Sequence, residues 1–515
     1  MARYKPYNYD QLKLLPISFS RQILPGTFEY TFSYIIDHEL DLSLFAARYA
    51  NDETGAPAYD PAILLKIVLY AYARGITSSR DIEQCCRENI LFMALSADSQ
   101  PHFTTIASFI SRMSEEIVPL FLEVLLICDE MGLIGREMFA IDGCKLPSNA
   151  SKEWSGTKAE LANKADKMQG AIRYIMRKHR EEDEQGQPSA HRQKEAQQVD
   201  TLRKNVKKIK AWLQDNDDKP GKNGGAKKSN ITDNESAKMK TSHGVLQGYD
   251  GVATVDARHQ VVVHAEAFGE AQEHDLLLPM VAATRDNFQA IGQDEDIFAR
   301  VALATDSGFH TEANVQALFE QKIDAYIADN QFRKRDPRFA TAAQHRARHQ
   351  AEQRKRRGSC YRPVDFVYDA TSQTCFCPAG KPLYRNGSSC WIGGYEAVKF
   401  QGSKMHCAPC TQRDRCLRYP DRTPTRQVVF FKDRSKPLKQ TYTAKMKQKI
   451  DTPEGRQQYS RRLGIVEPVF AHLASHMGLK RFSLRGRVKV NIQWKLYCIV
   501  HNLTKIHRFG YTGVE

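Results

Sequence analysis

The chain has 515 residues, of which 41% are hydrophobic and 26% are charged, and this composition excludes a globally disordered protein. Lysine and arginine outnumber aspartate and glutamate by 75 to 60, and the resulting net charge of +15 favours a polyanionic partner such as nucleic acid. The longest apolar runs are too short to cross a bilayer and the N-terminus lacks a signal-peptide pattern, so the sequence predicts a cytoplasmic protein with no membrane partner.

Residues 1–130 are predicted to form an all-helical domain. Pro61 begins one helix and Gly75 ends it, and the Thr77–Ser79 segment offers an N-cap for the next helix. Two helices joined by a glycine turn resemble a helix-turn-helix, which would read DNA. Two helices that only pack together are the alternative.

Residues 131–150 change to a strand pattern, and the segment FAIDGCKL places Asp142 after three apolar residues. Residues 151–240 predict a helical hairpin insert followed by a flexible linker at 215–230. The second half of the hairpin has apolar residues at heptad spacing, which makes it the candidate for self-association. These residues are Val199, Leu202, Val206, Ile209 and Leu213.

Residues 241–330 predict further strands of the same sheet. Two strands flank a turn at Asp256–His259, and the apolar segment FARVALAT ends in Asp306. Without the inserts, this order fits an RNase H-like sheet, although many α/β domains share it. The predicted fold class is therefore α+β and multidomain, with an N-terminal all-helical domain and an RNase H-like mixed-sheet core that carries a helical insert and a Cys-rich basic insert.

Residues 331–445 form the predicted Cys-rich basic insert. Seven of the twelve cysteines lie between Cys360 and Cys416, which in a cytosolic chain favours metal binding over disulfides. A single thiol, a long gap, C-x2-C and C-x5-C suit a four-thiolate zinc site, with reduced, unligated cysteines as the alternative. The candidate zinc ligands are Cys377, Cys407, Cys410 and Cys416, and Cys375 could replace Cys377.

The same insert has a strongly basic flank. Ten lysines and arginines lie between Arg333 and Arg357, against only two acids. This density suits the DNA phosphate backbone, and a solvated charged surface is the alternative. The candidate DNA-binding residues are Arg333, Lys334, Arg335, Arg354, Lys355, Arg356 and Arg357.

Residues 446–515 are predicted to be C-terminal helices of the core. Glu467 stands among apolar residues in YSRRLGIVEPVF, and we expect its side of the helix to face the core. Asp142 and Asp306 each follow an apolar strand, and two such acids brought together are hard to keep ionised without a cation. Mg²⁺ or Mn²⁺ would satisfy them, whereas capping of a following loop is the alternative for each acid.

Several motifs in order resemble the DDE transposases of bacterial insertion sequences, most closely the insertion-sequence eleven-eighty-two family. The resemblance covers nearly the whole chain. The motifs that carry it are FAIDGCKLPSNAS, GYDGVATVD, ATDSGF, CPAGKPL and YSRRLGIVEPVFAHLASHMGLKRFSLRG.

The resemblance implies that Asp142, Asp306 and Glu467 form the metal-binding triad of an RNase H-like catalytic core. It also implies that Tyr459 and Arg462 contact DNA and steady the site. The implied enzyme is an endonuclease and strand transferase that cuts the terminal inverted repeats of an element and joins their 3′ ends to target DNA. The resemblance further implies end binding by the N-terminal domain, a homodimer on DNA, and association with the bacterial nucleoid.

The chain departs from the family pattern at several positions. Ala474 stands where the signature helix usually carries a lysine, and Cys144 replaces the usual threonine or serine. Asp250 and Val252 stand where asparagine and glutamine are familiar. Two alternatives therefore stay open, namely a catalytically silent DNA-binding descendant and a general nuclease of the RNase H fold.

Overall fold

A computed structural model describes residues 17–49, 57–186, 191–221, 225–241, 244–336, 360–386, 390–392, 395–432 and 441–510, together with the single positions 341, 344, 348 and 351. The chain divides into two compact units, which are Met1–Ile327 with Glu454–Glu515, and Ala328–Pro453. Four of the predicted DNA-binding residues lie outside the described residues, namely Arg354, Lys355, Arg356 and Arg357.

The N-terminal part of the first unit is helical, as predicted. Asp60 caps the second helix by accepting from the Ala62 amide, with Pro61 at its first position, and Gly75 follows the helix at a φ of 73°. Ser78 caps the next helix through the Asp81 amide. The helices are α1 (Phe28–His38), α2 (Pro61–Ala73), α3 (Ser79–Glu88), α4 (Ile90–Leu95), α5 (Phe103–Ser111) and α6 (Ile117–Glu130).

A mixed β-sheet forms the centre of the first unit. Its strands run in the order β8–β7–β1–β9–β10, and β6 also pairs with the long β7. β1 is antiparallel to β7 and parallel to β9, which in turn is parallel to β10. The strands of this sheet are β1 (Met138–Pro147), β6 (Ala237–Thr241), β7 (Gly244–Asp256), β8 (Val262–Phe268), β9 (Ala302–Thr305) and β10 (Ala325–Ile327). Two separate antiparallel pairs join β2 (Ser155–Gly156) to β5 (Ser229–Asn230) and β3 (Lys219–Pro220) to β4 (Ala226–Lys227). The predicted helical N-terminal region and mixed sheet are both confirmed.

Two long helices and two shorter ones complete the middle of this unit. They are α7 (Lys158–Glu184), α8 (Arg192–Asp215), α9 (Leu277–Ala290) and α10 (Glu312–Glu320). Thr157 and Glu160 form a capping box at the start of α7, and α7 packs against α8 through Leu161 and Ile209, both fully or nearly fully buried. α9 covers one face of the sheet, where the Phe288 ring stacks on Phe139.

The second unit has its own small sheet and core. The strand order is β11–β12–β13–β15–β14, with β16 also paired to β15, and all these pairs are antiparallel. The elements are α11 (Phe332–Arg335), β11 (Val367–Asp369), β12 (Thr374–Phe376), β13 (Pro382–Arg385), β14 (Cys390–Ile392), β15 (Tyr395–Gly402), α12 (Lys404–Cys407), α13 (Arg413–Cys416), β16 (Gln427–Phe431) and α14 (Tyr442–Asp451). Six buried residues form the core, which are Phe366, Cys375, Leu383, Val398, Phe400 and Val428.

The C-terminal helices return to the first unit. They are α15 (Pro453–Ala471), which continues as one π-helical turn (His472–His476), and α16 (Arg487–Phe509). α16 is buried over most of its length, because Trp494 covers Gly251 of β7 while Tyr497 packs on Tyr72 of α2. The Asn502 side-chain amide both donates to and accepts from the backbone of Val262, which satisfies the open edge of β8. Among the described helices, none has the length and apolar character needed to span a bilayer.

Buried His264 on β8 should make the stability of the first unit depend on pH. Burial lowers the pKa of His264 from 6.5 to about 3, and the nearby Lys495 ammonium lowers it further. Below pH 6.5, His264 is therefore protonated in the unfolded chain but stays neutral in the folded chain. The free energy of unfolding consequently falls as the pH falls below 6.5.

We expect the His264→Leu variant to lose less stability than wild type between pH 7.5 and pH 5, by about 2 kcal/mol. Urea unfolding at the two pH values measures the difference. An unchanged pH dependence in the variant would show that His264 does not carry the effect.

Candidate active site

The register between β1 and β9 brings two of the predicted acids together. The parallel pairing ends with Ile141 opposite Thr305, so Asp142 and Asp306 come next on two adjacent strands. Partners in a parallel pair share a face of the sheet, and both acids therefore project to the same side. Both side chains are half-buried, and the charge of Asp306 helps to raise the pKa of Asp142.

The predicted end of the first strand is wrong. β1 continues past Asp142 to Pro147, because its other edge stays paired with β7 as far as Gly248. Only the parallel pairing with β9 stops at Ile141. Asp142 therefore lies where β1 loses one neighbour, and Asp306 lies after the last residue of β9.

Arg462 of α15 forms an ion pair with Asp142. Arg462 is buried, and its guanidinium also lies over the ring of half-buried Tyr459, 5.9 Å from the ring centre. Burial raises the pKa of Asp142 to about 6, although the Arg462 charge opposes this shift. Arg462 is therefore placed to steady the carboxylate, and α15 meets the sheet edge through this arginine.

The expectation that Glu467 faces the core is wrong, because its side chain is exposed. α15 buries a stripe that includes Arg462, Ile465, Val466 and Val469. At 3.6 residues per turn, Glu467 lies about 140° around the helix from Arg462. The structure places Asp142 and Asp306 directly after the paired residues of two adjacent strands, and the role of Glu467 as the third acid stays a prediction.

Two acids that sequence reasoning did not select lie beside this pair. Lys145 of β1 donates a 2.6 Å hydrogen bond to Glu273, which stands just before α9. Asp250 lies directly opposite Lys145 across the β1–β7 pair. The departure from the family pattern at Asp250 was a sequence signal for this position, whereas nothing local distinguishes Glu273.

Asp250 is fully buried, and neither of its carboxylate oxygens has a hydrogen-bond partner within the described structure. Its Oδ1 atom lies 2.6 Å from the point that a Cβ atom of Gly143 would occupy. Burial raises the pKa of Asp250 to about 7, and the charge of Glu273 adds to this shift while Lys145 opposes it. An unpartnered buried carboxylate of this kind costs stability and indicates a functional demand.

A glycine leaves room for the carboxylates around Asp306. Asp306 accepts a 2.7 Å hydrogen bond from the Gly308 amide. A Cβ atom on Gly308 would lie 2.9 Å from Asp306 Oδ1 and 2.1 Å from Glu273 Oε2. These two oxygens are thus within about 5 Å of each other, and a side chain at position 308 would force the Glu273 carboxylate to move.

Within the described residues, no three His, Cys, Asp or Glu side chains are already arranged as metal ligands. The four carboxylates of the site belong to Asp142, Asp306, Asp250 and Glu273. Two of them form ion pairs, since Asp142 pairs with Arg462 and Glu273 pairs with Lys145. The oxygen donors are those that Mg²⁺ and Mn²⁺ prefer, and side-chain rotation at the same backbone positions would be needed to bring them onto one ion.

The second unit brings all four candidate zinc ligands to one small cavity. The cavity has a volume of about 40 Å³ and is lined by Cys377, Cys407, Cys410 and Cys416, with His406 beside them. Burial raises the pKa of the Cys416 thiol to about 11, Arg426 opposes the shift, and the other three cysteines add to it. Cys375 instead belongs to the hydrophobic core, so the geometry favours Cys377.

The backbone around Cys377 is shaped to support its sulfur. The Lys381 amide lies 3.4 Å from Cys377 Sγ as a donor, and the turn is completed by Gly380 at a φ of 69°. Across the cavity, a Cβ atom on Gly402 would lie 2.5 Å from Cys407 Sγ, so only glycine fits there. Backbone donors to a cysteine sulfur are typical of the surroundings of metal-bound thiolates.

Residues in the described part of the basic flank differ in exposure. Arg333 and Lys334 are exposed on α11. Arg335 is half-buried and pairs with both Asp329 and Asp451, at 2.9 and 2.6 Å. Arg335 therefore has a structural role in the second unit, while Arg333 and Lys334 keep the exposure that a phosphate contact needs.

Comparisons with known families give two matches. Residues 376–507 match the family described as Transposase DDE domain, and residues 18–112 match the family described as Transposase domain (DUF772). The matches support an insertion-sequence DDE transposase. The DDE match further indicates a DNA-cleaving enzyme with DNA as its partner. No curated protein and no solved structure matches the chain.

The two matched ranges do not cover the whole candidate site. The DDE match contains Glu467 and the four cysteines of the cavity, whereas Asp142 and Asp306 lie between the two matches. The insertion-sequence eleven-eighty-two family stays a prediction.

We expect Arg462→Gln to lower the free energy of unfolding by about 3 kcal/mol, because it leaves the buried Asp142 carboxylate without its partner. Denaturant unfolding measures the change. Arg461→Gln is the matched control, since Arg461 is exposed on the same helix and pairs with exposed Glu137, and its effect should stay within about 0.5 kcal/mol.

The double variant Asp142→Asn with Arg462→Gln should be more stable than Arg462→Gln alone, because no buried charge remains. Simple addition of the two single effects would mean that the ion pair does not couple these residues.

Proposed function

We propose that this protein is a DNA transposase that cleaves the ends of an insertion sequence and joins them to target DNA. The observation that carries this proposal is the position of Asp142 beside Asp306 on adjacent parallel strands. Transposase families match the chain on both sides of this pair, which supports the same reaction class. The net charge of +15 suits a DNA partner.

Asp142 and Asp306 would hold Mg²⁺ or Mn²⁺, and the resemblance assigns Glu467 as the third acid. Two observations fit a divalent cation: carboxylate oxygens of Asp306 and Glu273 come together beside Gly308, and the donor set is made only of carboxylates. When bound, such ions would activate the attacking water or 3′ hydroxyl and stabilise the leaving oxygen.

The chain's own residues orient these carboxylates. Arg462 holds one oxygen of Asp142, and the Gly308 amide holds Asp306 Oδ1. Tyr459 lies against the Arg462 guanidinium and limits its movement. We propose that this support keeps Asp142 in one position while DNA is bound, which orientation-dependent phosphodiester chemistry requires.

We further propose that the N-terminal helices bind the element ends, that α7 and α8 mediate dimerisation on DNA, and that exposed Arg333 and Lys334 contact phosphates. The proposed location is the bacterial nucleoid. Unchanged end binding after removal of residues 1–125 would contradict the first of these roles, and a monomer on DNA by light scattering would contradict the second.

A catalytically silent DNA-binding descendant is the second candidate function. Exposed Glu467 and the absence of the signature lysine at Ala474 favour it. A general nuclease of the same fold would cut DNA without joining it. The cleavage and joining steps therefore need to be measured separately.

We expect Asp142→Asn and Asp306→Asn each to lower cleavage at the ends of the element by at least about 1,000-fold, because each removes a charge that a divalent cation needs. The measurement is nicking of DNA that carries the repeats flanking the gene, in Mg²⁺ or Mn²⁺, together with joining to a target plasmid. End binding by gel shift should stay unchanged.

Glu137→Gln is the control for this experiment, because Glu137 is an exposed acid just before β1. Full cleavage by Asp142→Asn would refute the site. Binding without cleavage by the wild-type protein would establish the silent descendant, and cleavage without joining would establish the nuclease.

We propose in addition that Cys377, Cys407, Cys410 and Cys416 bind a structural zinc ion. The shared cavity, the Lys381 amide near Cys377 Sγ and the glycine at position 402 support this assignment. The core of the second unit has six buried residues, so a bound metal would supply folding energy that so small a core lacks.

We expect about one zinc per chain by elemental analysis of protein purified under reducing conditions, and loss of that zinc in Cys410→Ser. Cys360→Ser is the control, since Cys360 lies in the same unit but does not line the cavity. Wild-type protein without zinc after reconstitution, or zinc retained by Cys410→Ser, would refute the assignment.

A further inference from the structure

Glu273 and Asp250 lie beside the aspartate pair, and only Glu273 has a hydrogen-bond partner among the described residues. The Lys145 ammonium donates a hydrogen bond to Glu273, whereas Asp250, directly opposite on β7, has no hydrogen-bond partner among the residues that the structure describes. Asp250 is fully buried, so solvent cannot satisfy its oxygens. A buried carboxylate without a hydrogen-bond partner requires an explanation, and one explanation is a second arrangement of the same groups in which it is paired.

The second arrangement is possible because the Glu273 carboxylate lies close to Asp306 as well as to Lys145. Its Oε2 atom lies beside Gly308, at the point where Asp306 Oδ1 also lies, and the two oxygens are within about 5 Å of each other. Oxygen ligands of one Mg²⁺ or Mn²⁺ ion are separated by about 3 Å, since each lies about 2.1 Å from the ion at an octahedral site. The Glu273 carboxylate would therefore need to move about 2 Å toward Asp306 for the two to share one ion.

We infer that Glu273 is a further carboxylate ligand of the divalent cation, together with Asp142 and Asp306, and that Lys145 pairs with Asp250 when Glu273 binds the ion. This inference rests on the proposed function and adds two residues to it. Asp250 is a positioning residue, because it would act through Lys145 and would not touch the ion.

The charges of the group support this arrangement. Four carboxylates converge on the site, and Lys145 and Arg462 supply two positive charges. One divalent ion would complete the balance and would relieve the repulsion among these carboxylates. In this arrangement each of the four carboxylates would have a partner, so no buried carboxylate would stay unpaired.

The test is Mn²⁺ binding to the full-length protein, measured by isothermal titration calorimetry without DNA. We expect Glu273→Gln to weaken Mn²⁺ binding by about tenfold or more, and Asp250→Asn to weaken it less. Glu270→Gln should bind as wild type does, because Glu270 is an exposed acid three residues earlier in the same loop. Circular dichroism checks that each variant is folded.

Lys145→Met distinguishes metal binding from a purely structural ion pair. Removal of the ammonium frees Glu273 and leaves the site more negative, so Mn²⁺ binding should become several-fold tighter. A structural salt bridge predicts no such gain, and weaker binding by Lys145→Met would contradict the inference.

Asp142→Asn separates this inference from the proposed function. If Asp142→Asn weakens Mn²⁺ binding and Glu273→Gln does not, the role of Glu273 is refuted and the aspartate site remains. If neither variant changes Mn²⁺ binding, the metal site of the proposed function is itself refuted.

Discussion

The parallel pairing of β1 with β9 is the constraint on which the arrangement of the site depends. A parallel ladder fixes which residues of two distant segments stand side by side, and here it places Asp142 next to Asp306 although more than 160 residues separate them in the chain. A slip of one residue would turn one of the two acids to the opposite face of the sheet. The apolar residues Phe139 and Leu303, buried at the preceding positions, therefore fix the register and with it the site.

Basic residues from other parts of the fold support the acids. Arg462 reaches Asp142 from α15, whereas Lys145 and Glu273 meet on the side of α9. α16, which is buried over most of its length, packs on the sheet through Trp494, which lies over Gly251 beside the β1–β7 pair. Asp142 and Glu273 are thus held by basic partners, which is the kind of support that a preorganised site requires.

Much of this organisation follows from local patterns. The N-terminal helices have clear start and stop signals, and β9 is a short apolar run that ends in Asp306, so these elements were predictable. The orientation of the Glu467 side chain was not predictable in the same way. Its apolar neighbours predict a buried side chain, but helical periodicity places Arg462, Ile465 and Val469 inward and Glu467 outward. Composition around a residue is a weaker guide to its orientation than its angle around the helix.

The sequence by itself determined the helical N-terminal region, the mixed sheet, the two aspartates that follow apolar strands and the spacing of the four cysteines, because each depends on residues close together in the chain. Only the tertiary structure decided that Glu273 and Asp250 stand beside the aspartate pair and that Cys377, rather than Cys375, lines the cysteine cavity. The physical reason is that these contacts join segments far apart in sequence. Strand register and side-chain packing set such contacts, and no local period records them.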